Sequence, residues 1–292
     1  AIDDLTPLGT LLSDKNVIKI IHDAPQDLMI LSRVTKSIPE SIFDTRLASG
    51  FSGLPSTISL ANLTQILLDI ELPKSQTRTD WLHRPLDEEQ VSYALDDVRY
   101  LRALRILLLT RIIVPEIKGW LLEELDILND PQAYSVIEDY ERFRKIGGAG
   151  SLQNKNLAIL QELAAWREQE ARHLDRPRGH IVTDKALLAI DRRAPADLSD
   201  LEASEIISNK KLQSFGVPIA KAINKGASVT EADYPTISGP IRLTSGEKQV
   251  HERLSNFIQL KCEMQDIDPQ LIGTTAELKL LCRNLNLSLI HI

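Results

Sequence analysis

Val17 to Ile21 is a short apolar, β-branched run bounded by Lys15-Asn16 and His22-Asp23, a pattern that predicts a buried strand. Pro25 suits the first turn of a following helix in which Leu28, Leu31 and Val34 recur at helical spacing. Ser41-Ile42-Phe43-Asp44 leads into a second helix, Thr45 to Ser49, with Asp44 as its cap. Ser59 to Leu68 predicts a third, with Leu60, Leu63 and Leu67 on one face. Lys74 to Pro85 has no apolar period and reads as an ordered loop. The clearest helix runs from Asp87 to Thr110: Asp87 is the N-cap, Gln90 its capping-box partner, and Leu86 a staple to Val91. Its expected buried stripe is Val91, Ala94, Leu95, Val98, Leu101 and Leu104.

From Val114 to Lys145 the pattern stays helical but is broken by Pro131, and Gly147-Gly148-Ala149-Gly150 predicts a flexible boundary. Four apolar clusters between Leu152 and Gly226, separated by Pro, Gly or Asp-rich breaks, predict a small all-helical bundle. Tyr234 to Gly246 reads as a second linker, and His251 to Cys282 as helix again. The expected partition is a partial α/β unit over 1–113, a helical connector over 114–150, a helical domain over 151–230 and the start of a similar one over 245–292. A weak repeat links the last two, Leu157 to Leu187 paralleling Val250 to Leu278.

With 292 residues the chain has room for two or three domains at about 100 to 200 residues each. A hydrophobic fraction of 43% and a charged fraction of 26% exclude a disordered or collagenous chain. The longest apolar candidate, Leu101 to Val114, is interrupted by Arg102, Arg105 and Arg111, so no membrane span is expected. Cys262 and Cys282 make neither a disulfide framework nor a zinc set, which fits the reducing cytoplasm. The net charge of -7 argues against a generally basic surface, yet residues 151–228 carry 12 Lys or Arg against 10 Asp or Glu, +2 there and -9 elsewhere. Ala1-Ile2-Asp3-Asp4 reads as a strand end with no leader pattern, so an upstream segment is expected. Leu287 to Ile292 follow without a cap and resemble a translated sequencing-adapter read-through.

Tyr93 and Asp97 stand four residues apart and share one helical face, while Asp96 lies about 100 degrees around. With five tyrosines in the chain that spacing arises by chance about one time in three, so alone it fits a plain surface helix as well. Asp27 sits in the first turn after the Val17 strand, where the helix dipole favours a carboxylate and a strand end offers a cleft; alone it also fits a helix-start acid. Lys74, Arg78 and Arg84 suit RNA phosphates or a solvated loop equally, and Trp81 suits base stacking or, with more weight, anchoring of that loop.

Taken together, four stretches change the weighting. They are His22-Asp23-Ala24-Pro25-Gln26-Asp27-Leu28, Phe43-Asp44-Thr45-Arg46-Leu47-Ala48, Lys74 to Trp81 with Arg84-Pro85-Leu86, and Tyr93-Ala94-Leu95-Asp96-Asp97-Val98. In this order they resemble the ribonuclease D family of bacterial 3′ to 5′ exoribonucleases. Leu163-Ala164-Ala165-Trp166-Arg167-Glu168 and Arg176-Pro177-Arg178-Gly179 resemble the helical HRDC domains that follow the exonuclease domain there. The resemblance implies an α/β ribonuclease-H-like exonuclease domain, here lacking its first strands, followed by all-α HRDC domains. It also implies a two-ion Mg²⁺ or Mn²⁺ site built on four acidic ligands, two of them from an Asp-x-Glu strand. Asp27 and Asp97 match the other two, Asp97 holding the nucleophile-side ion and Asp27 the second, with Tyr93 orienting the attacking water and no covalent intermediate. The implied substrates are RNA 3′ ends, transfer RNA precursors foremost, for a monomeric cytoplasmic enzyme.

One departure stands out: no Asp-x-Glu precedes Val17. An N-terminal truncation is the expectation, and the chain as written is expected to be inactive. A non-catalytic RNA-binding or scaffold protein on the same fold is the rival reading. A DNA exonuclease is the third, since nothing visible reads a 2′-hydroxyl.

Overall fold

The computed structural model describes residues 4–73, 76, 79–135, 137–237 and 241–289. Two compact units divide it, Ala1–Ser135 with Leu243–Ile292 and Val136–Arg242. None of its helices is long and apolar enough to cross a membrane, among the described residues.

The first unit begins with α1 (Thr6–Ser13), β1 (Lys19–Ile21), α2 (Ala24–Thr35) and β2 (Ile42–Asp44). β1 and β2 pair in parallel, Ile20 opposite Phe43 and Ile21 opposite Asp44, which requires the crossover that α2 supplies. The strand expected from Val17 is shorter than its apolar run. Val17 and Ile18 are exposed, because β1 is paired along one edge only among the described residues. α3 (Thr45–Gly50) and α4 (Leu60–Leu68) start as expected, with Asp44 accepting from the Arg46 and Leu47 amides and Ser59 from that of Asn62.

The single helix expected from Asp87 to Thr110 is two, α5 (Glu88–Arg99) and α6 (Leu101–Arg111), meeting at Tyr100 with φ -96 and ψ -9. The Asp87–Gln90 capping box forms at both hydrogen bonds. The expected stripe is buried only in α6, at Leu101 and Leu104, where Leu108 joins it; in α5, Val91, Ala94, Leu95 and Val98 are exposed. Helical periodicity reports that a face is apolar and is silent on what covers it. In α5 the buried position is Gln90, whose amide donates to Thr79 Oγ1 and to the Asp80 carbonyl, tying the helix to the loop before it.

After α7 (Pro115–Asp126), Leu63, Leu104, Leu108 and Leu121 close the core of this unit. Cys262 and Ile267 belong to the same core, contributed by α13 (Ser245–Gln265) and the turn after it, with α14 (Thr275–Leu289) following. The segment expected as the separate start of another helical domain therefore packs on the first unit.

The second unit contains α8 (Asn154–His173), α9 (Arg178–Ile181), α10 (Asp184–Arg193), α11 (Leu198–Ala203) and α12 (Asn209–Ala227), the bundle expected from the four apolar clusters. α8 and α12 touch so closely that a Cβ on Gly226 would lie 2.5 Å from the Ile159 Cα. Phe143, Ile146 and Ala149 are buried in the same core as Leu157 and Leu160. The edge of the unit thus lies at Val136, ahead of the glycines where the composition places it, because the turns before Gly147 carry apolar side chains into the bundle.

Candidate active site

At the C-terminal end of β1 a cavity of about 520 Å³ opens, lined by Ile20, Ile21, His22, Asp27, Asp97 and Val98 among others. Asp27 reaches it from the first turn of α2 and Asp97 from the last turn of α5. Two residues seventy positions apart in sequence are thereby brought to one cavity. Asp97 is held toward its protonated form, first by burial and then by the negative charges of Asp96 and Asp27. Asp96 turns aside, pairing with Arg99 at 3.0 Å and presenting little of its side chain to solvent.

His22 lines the cavity with both ring nitrogens engaged, Nδ1 at 2.9 Å from Thr45 Oγ1 and Nε2 at 3.1 Å from the Ile58 carbonyl. Burial pushes its pKa down and outweighs the Asp44 and Asp23 carboxylates and the Ile58 carbonyl, which act to raise it. A neutral ring that donates from Nε2 to Ile58 uses Nδ1 to accept the Thr45 hydroxyl, which leaves no lone pair for an ion. The sequence signal for His22 was its place at the strand end. Its neighbour Asp23 adopts a left-handed conformation, φ 63, and pairs with Arg46 at 2.5 Å.

Tyr93, one turn before Asp97 on α5, is not among the cavity-lining residues. Its ring packs on Trp81, centroids 6.0 Å apart at 53°. Trp81 Nε1 donates to the Gln76 carbonyl at 3.1 Å, so this indole anchors the loop, and Arg84 Nη1 donates to the carbonyls of Trp81 and His83. Lys74 and Arg78 lie outside the described residues.

Carboxylate oxygens are the hard donors that Mg²⁺ and Mn²⁺ prefer, so the chemistry of Asp27 and Asp97 fits such an ion. Their number fits only part of a site: among the described residues no three His, Cys, Asp or Glu side chains are grouped to hold a metal.

The 3′-5′ exonuclease family matches residues 1–113 and the HRDC domain family residues 156–223. Ribonuclease D of Desulfotalea psychrophila is 49% identical over 98% of this chain and 76% of its own length. The chain belongs to the ribonuclease D family. Ribonuclease D of Bartonella henselae is 32% identical, with 94% of this chain and 68% of the relative aligned. The crystal structure of Escherichia coli ribonuclease D, described as an exoribonuclease involved in structured RNA processing, superposes with a TM-score of 0.79 at 27% identity, covering 96% of this chain and 74% of that one. The resemblance carried by the four stretches is borne out, and with it an exonuclease domain joined to a helical HRDC domain in a 3′-5′ exoribonuclease family of hydrolases.

Proposed function

We propose that Asp27 and Asp97 are two of the metal-holding carboxylates of a 3′-5′ exoribonuclease that trims the 3′ ends of structured RNAs such as transfer RNA precursors. The observation carrying this reading is the meeting of both residues in one cavity at the end of β1, close enough for the charge of Asp27 to act on Asp97. A pair of Mg²⁺ or Mn²⁺ ions, when bound, supplies hydroxide at neutral pH and neutralises the leaving oxygen of the phosphodiester. Asp97 holds the ion on the nucleophile side and Asp27 the other. Tyr93, one helical turn from Asp97, hydrogen-bonds the attacking water through its hydroxyl and aims it. Lys74, Arg78 and Arg84 meet phosphates of the RNA, and Trp81 supports that loop or stacks on a base. The involvement of the Escherichia coli relative in structured RNA processing supports the substrate class. We read the enzyme as a cytoplasmic monomer without membrane attachment, and α13 and α14 as the opening of a second HRDC-like domain.

The remaining two ligands belong to an Asp-x-Glu strand, and no Asp-x-Glu stands ahead of β1 in these 292 residues. The chain as written is therefore expected not to hydrolyse RNA. Joined to a segment bearing that strand, it should shorten a 5′-labelled RNA from its 3′ end with Mg²⁺ or Mn²⁺ and stop on addition of EDTA. Failure of every such joined chain to cut RNA would overturn the enzyme reading and leave the RNA-binding scaffold.

A further inference from the structure

Residues 266–271, between α13 and α14, are locked into the loop that follows α3. The Asp268 amide donates to the Gly50 carbonyl at 2.8 Å, and the Asp268 carboxylate accepts the Ser56 amide at 2.6 Å and the Gln270 amide at 2.9 Å. Two glycines make room for this approach. A Cβ on Gly53, which has φ +80, would lie 2.3 Å from the Asp266 carboxylate, and one on Gly50 would lie 2.8 Å from Leu271. Burial alone would raise the Asp268 carboxyl, but the amides of Gln270 and Ser56 outweigh it and hold it below the ordinary value.

The far side of the same loop faces the candidate site. The Ser56 carbonyl accepts Arg46 Nε at 2.9 Å, and Arg46 Nη1 pairs with Asp23 at 2.5 Å. Asp23 is the N-cap residue of α2, whose first turn carries Asp27. Two residues beyond Ser56, the Ile58 carbonyl meets His22 in the cavity wall. A continuous series of polar contacts therefore runs from Asp268 through Ser56 and Arg46 to the start of α2. Ser56 is held at its amide by the Asp268 carboxylate and at its carbonyl by Arg46, so the two peptide planes that meet at its Cα are gripped from opposite ends.

We infer that Asp268 is a positioning residue: it fixes the Ser56 carbonyl, which fixes Arg46, which holds the Asp23 turn that sets the direction of Asp27. The C-terminal helical segment thus takes part in shaping the site, 212 positions away in sequence from the amide it holds. A carboxylate is suited to this because it offers two acceptor oxygens, one for each amide. The importance of Asp27 itself rests on the function proposed above, whereas the mechanical link does not.

Backbone amide hydrogen exchange by NMR on the full chain tests the link. In Asp268→Ala, the amides of Ser56, Asp23 and Ala24 should exchange about tenfold faster, the loss expected for one charge-assisted hydrogen bond, while those of Leu104 and Leu108 stay within about twofold. Asp268→Asn should act in the same direction more weakly, since its single carbonyl oxygen serves one amide, and it decides the matter if the alanine variant does not fold. Arg46→Met should free Asp23 and Ala24 without freeing Ser56. Acceleration at Ser56 alone would show that the contact ends at the loop, and uniform acceleration across the core would reduce Asp268 to a stability residue. Either result overturns the inference. Titration with Mn²⁺ of the chain joined to a segment bearing the Asp-x-Glu strand separates the two readings: if the ion broadens no α2 amide there, the ligand role of Asp27 fails while the exchange result stands on its own.

Discussion

The Asp44 carboxylate accepts the Ala24 amide at 2.8 Å, joining the end of β2 to the first turn of α2. It also accepts the amides of Asp23 at 3.0 Å, Arg46 at 2.8 Å and Leu47 at 3.4 Å, so one buried side chain closes the starts of two helices. Charged acceptors at helix starts satisfy amides that have no partner within the helix. Asp44→Ala is expected to destabilise the first unit by about 3 kcal/mol, since several buried amides lose their acceptor at once, and Asp44→Asn by about half as much. Urea unfolding of the two variants checks this. A loss below about 0.5 kcal/mol would mean that water replaces the carboxylate freely.

Asp97 faces the cavity and Asp96 is drawn to Arg99. In a chain supplied with an Asp-x-Glu strand, Asp97→Ala should lower the cleavage rate by about a thousandfold or more, and Asp96→Ala by less than about tenfold. Single-turnover cleavage of a short RNA measures both. The reverse ranking would move the acidic ligand by one residue.

Tyr93 packs its ring on Trp81, a contact that phenylalanine preserves. Tyr93→Phe should therefore leave the thermal midpoint unchanged and lower the single-turnover rate by about 10- to 100-fold through loss of the hydroxyl. An unchanged rate would reduce Tyr93 to a packing partner of the loop.

Local devices were legible in the sequence because they act over a few residues. The Asp87–Gln90 box, the Ser59 cap and the proline in the first turn of α2 all stand where their side-chain chemistry places them. What failed depends on distant partners. Val91, Leu95 and Val98 are apolar at helical spacing and still exposed, and nothing local in Tyr100 announces the break between α5 and α6. β2 is three residues long, too short to give an alternating pattern. Asp27 and Asp97 stand out through the order of motifs; their meeting in one cavity follows from the fold. The role of Asp44 in α2, as opposed to α3, and the contact of Asp268 with Ser56 could not be read from spacing, because each joins positions far apart in the chain.

The second unit buries a carboxylate whose neighbours do not offset its burial. Asp191 in α10 is fully buried, neither carboxylate oxygen has a hydrogen-bond partner among the described residues, and Asn156 donates to its backbone carbonyl at 3.1 Å. Burial pushes its pKa up to about 7 from 3.8, against the smaller opposing effects of Asn156 and Arg192. The folded protein therefore retains a proton that the unfolded chain releases once the pH passes the ordinary carboxyl value. The contribution of Asp191 to stability is neutral below that value, declines as the pH rises toward about 7, and is fully unfavourable above it. Asp191→Asn keeps the shape and never ionises, so it should stabilise the second unit by on the order of 2 to 4 kcal/mol near pH 8 and by almost nothing near pH 4. Thermal unfolding of both proteins across that range, followed by circular dichroism, gives the two slopes. Parallel slopes would show that the carboxyl reaches solvent in the folded state, and the predicted pH dependence would be lost.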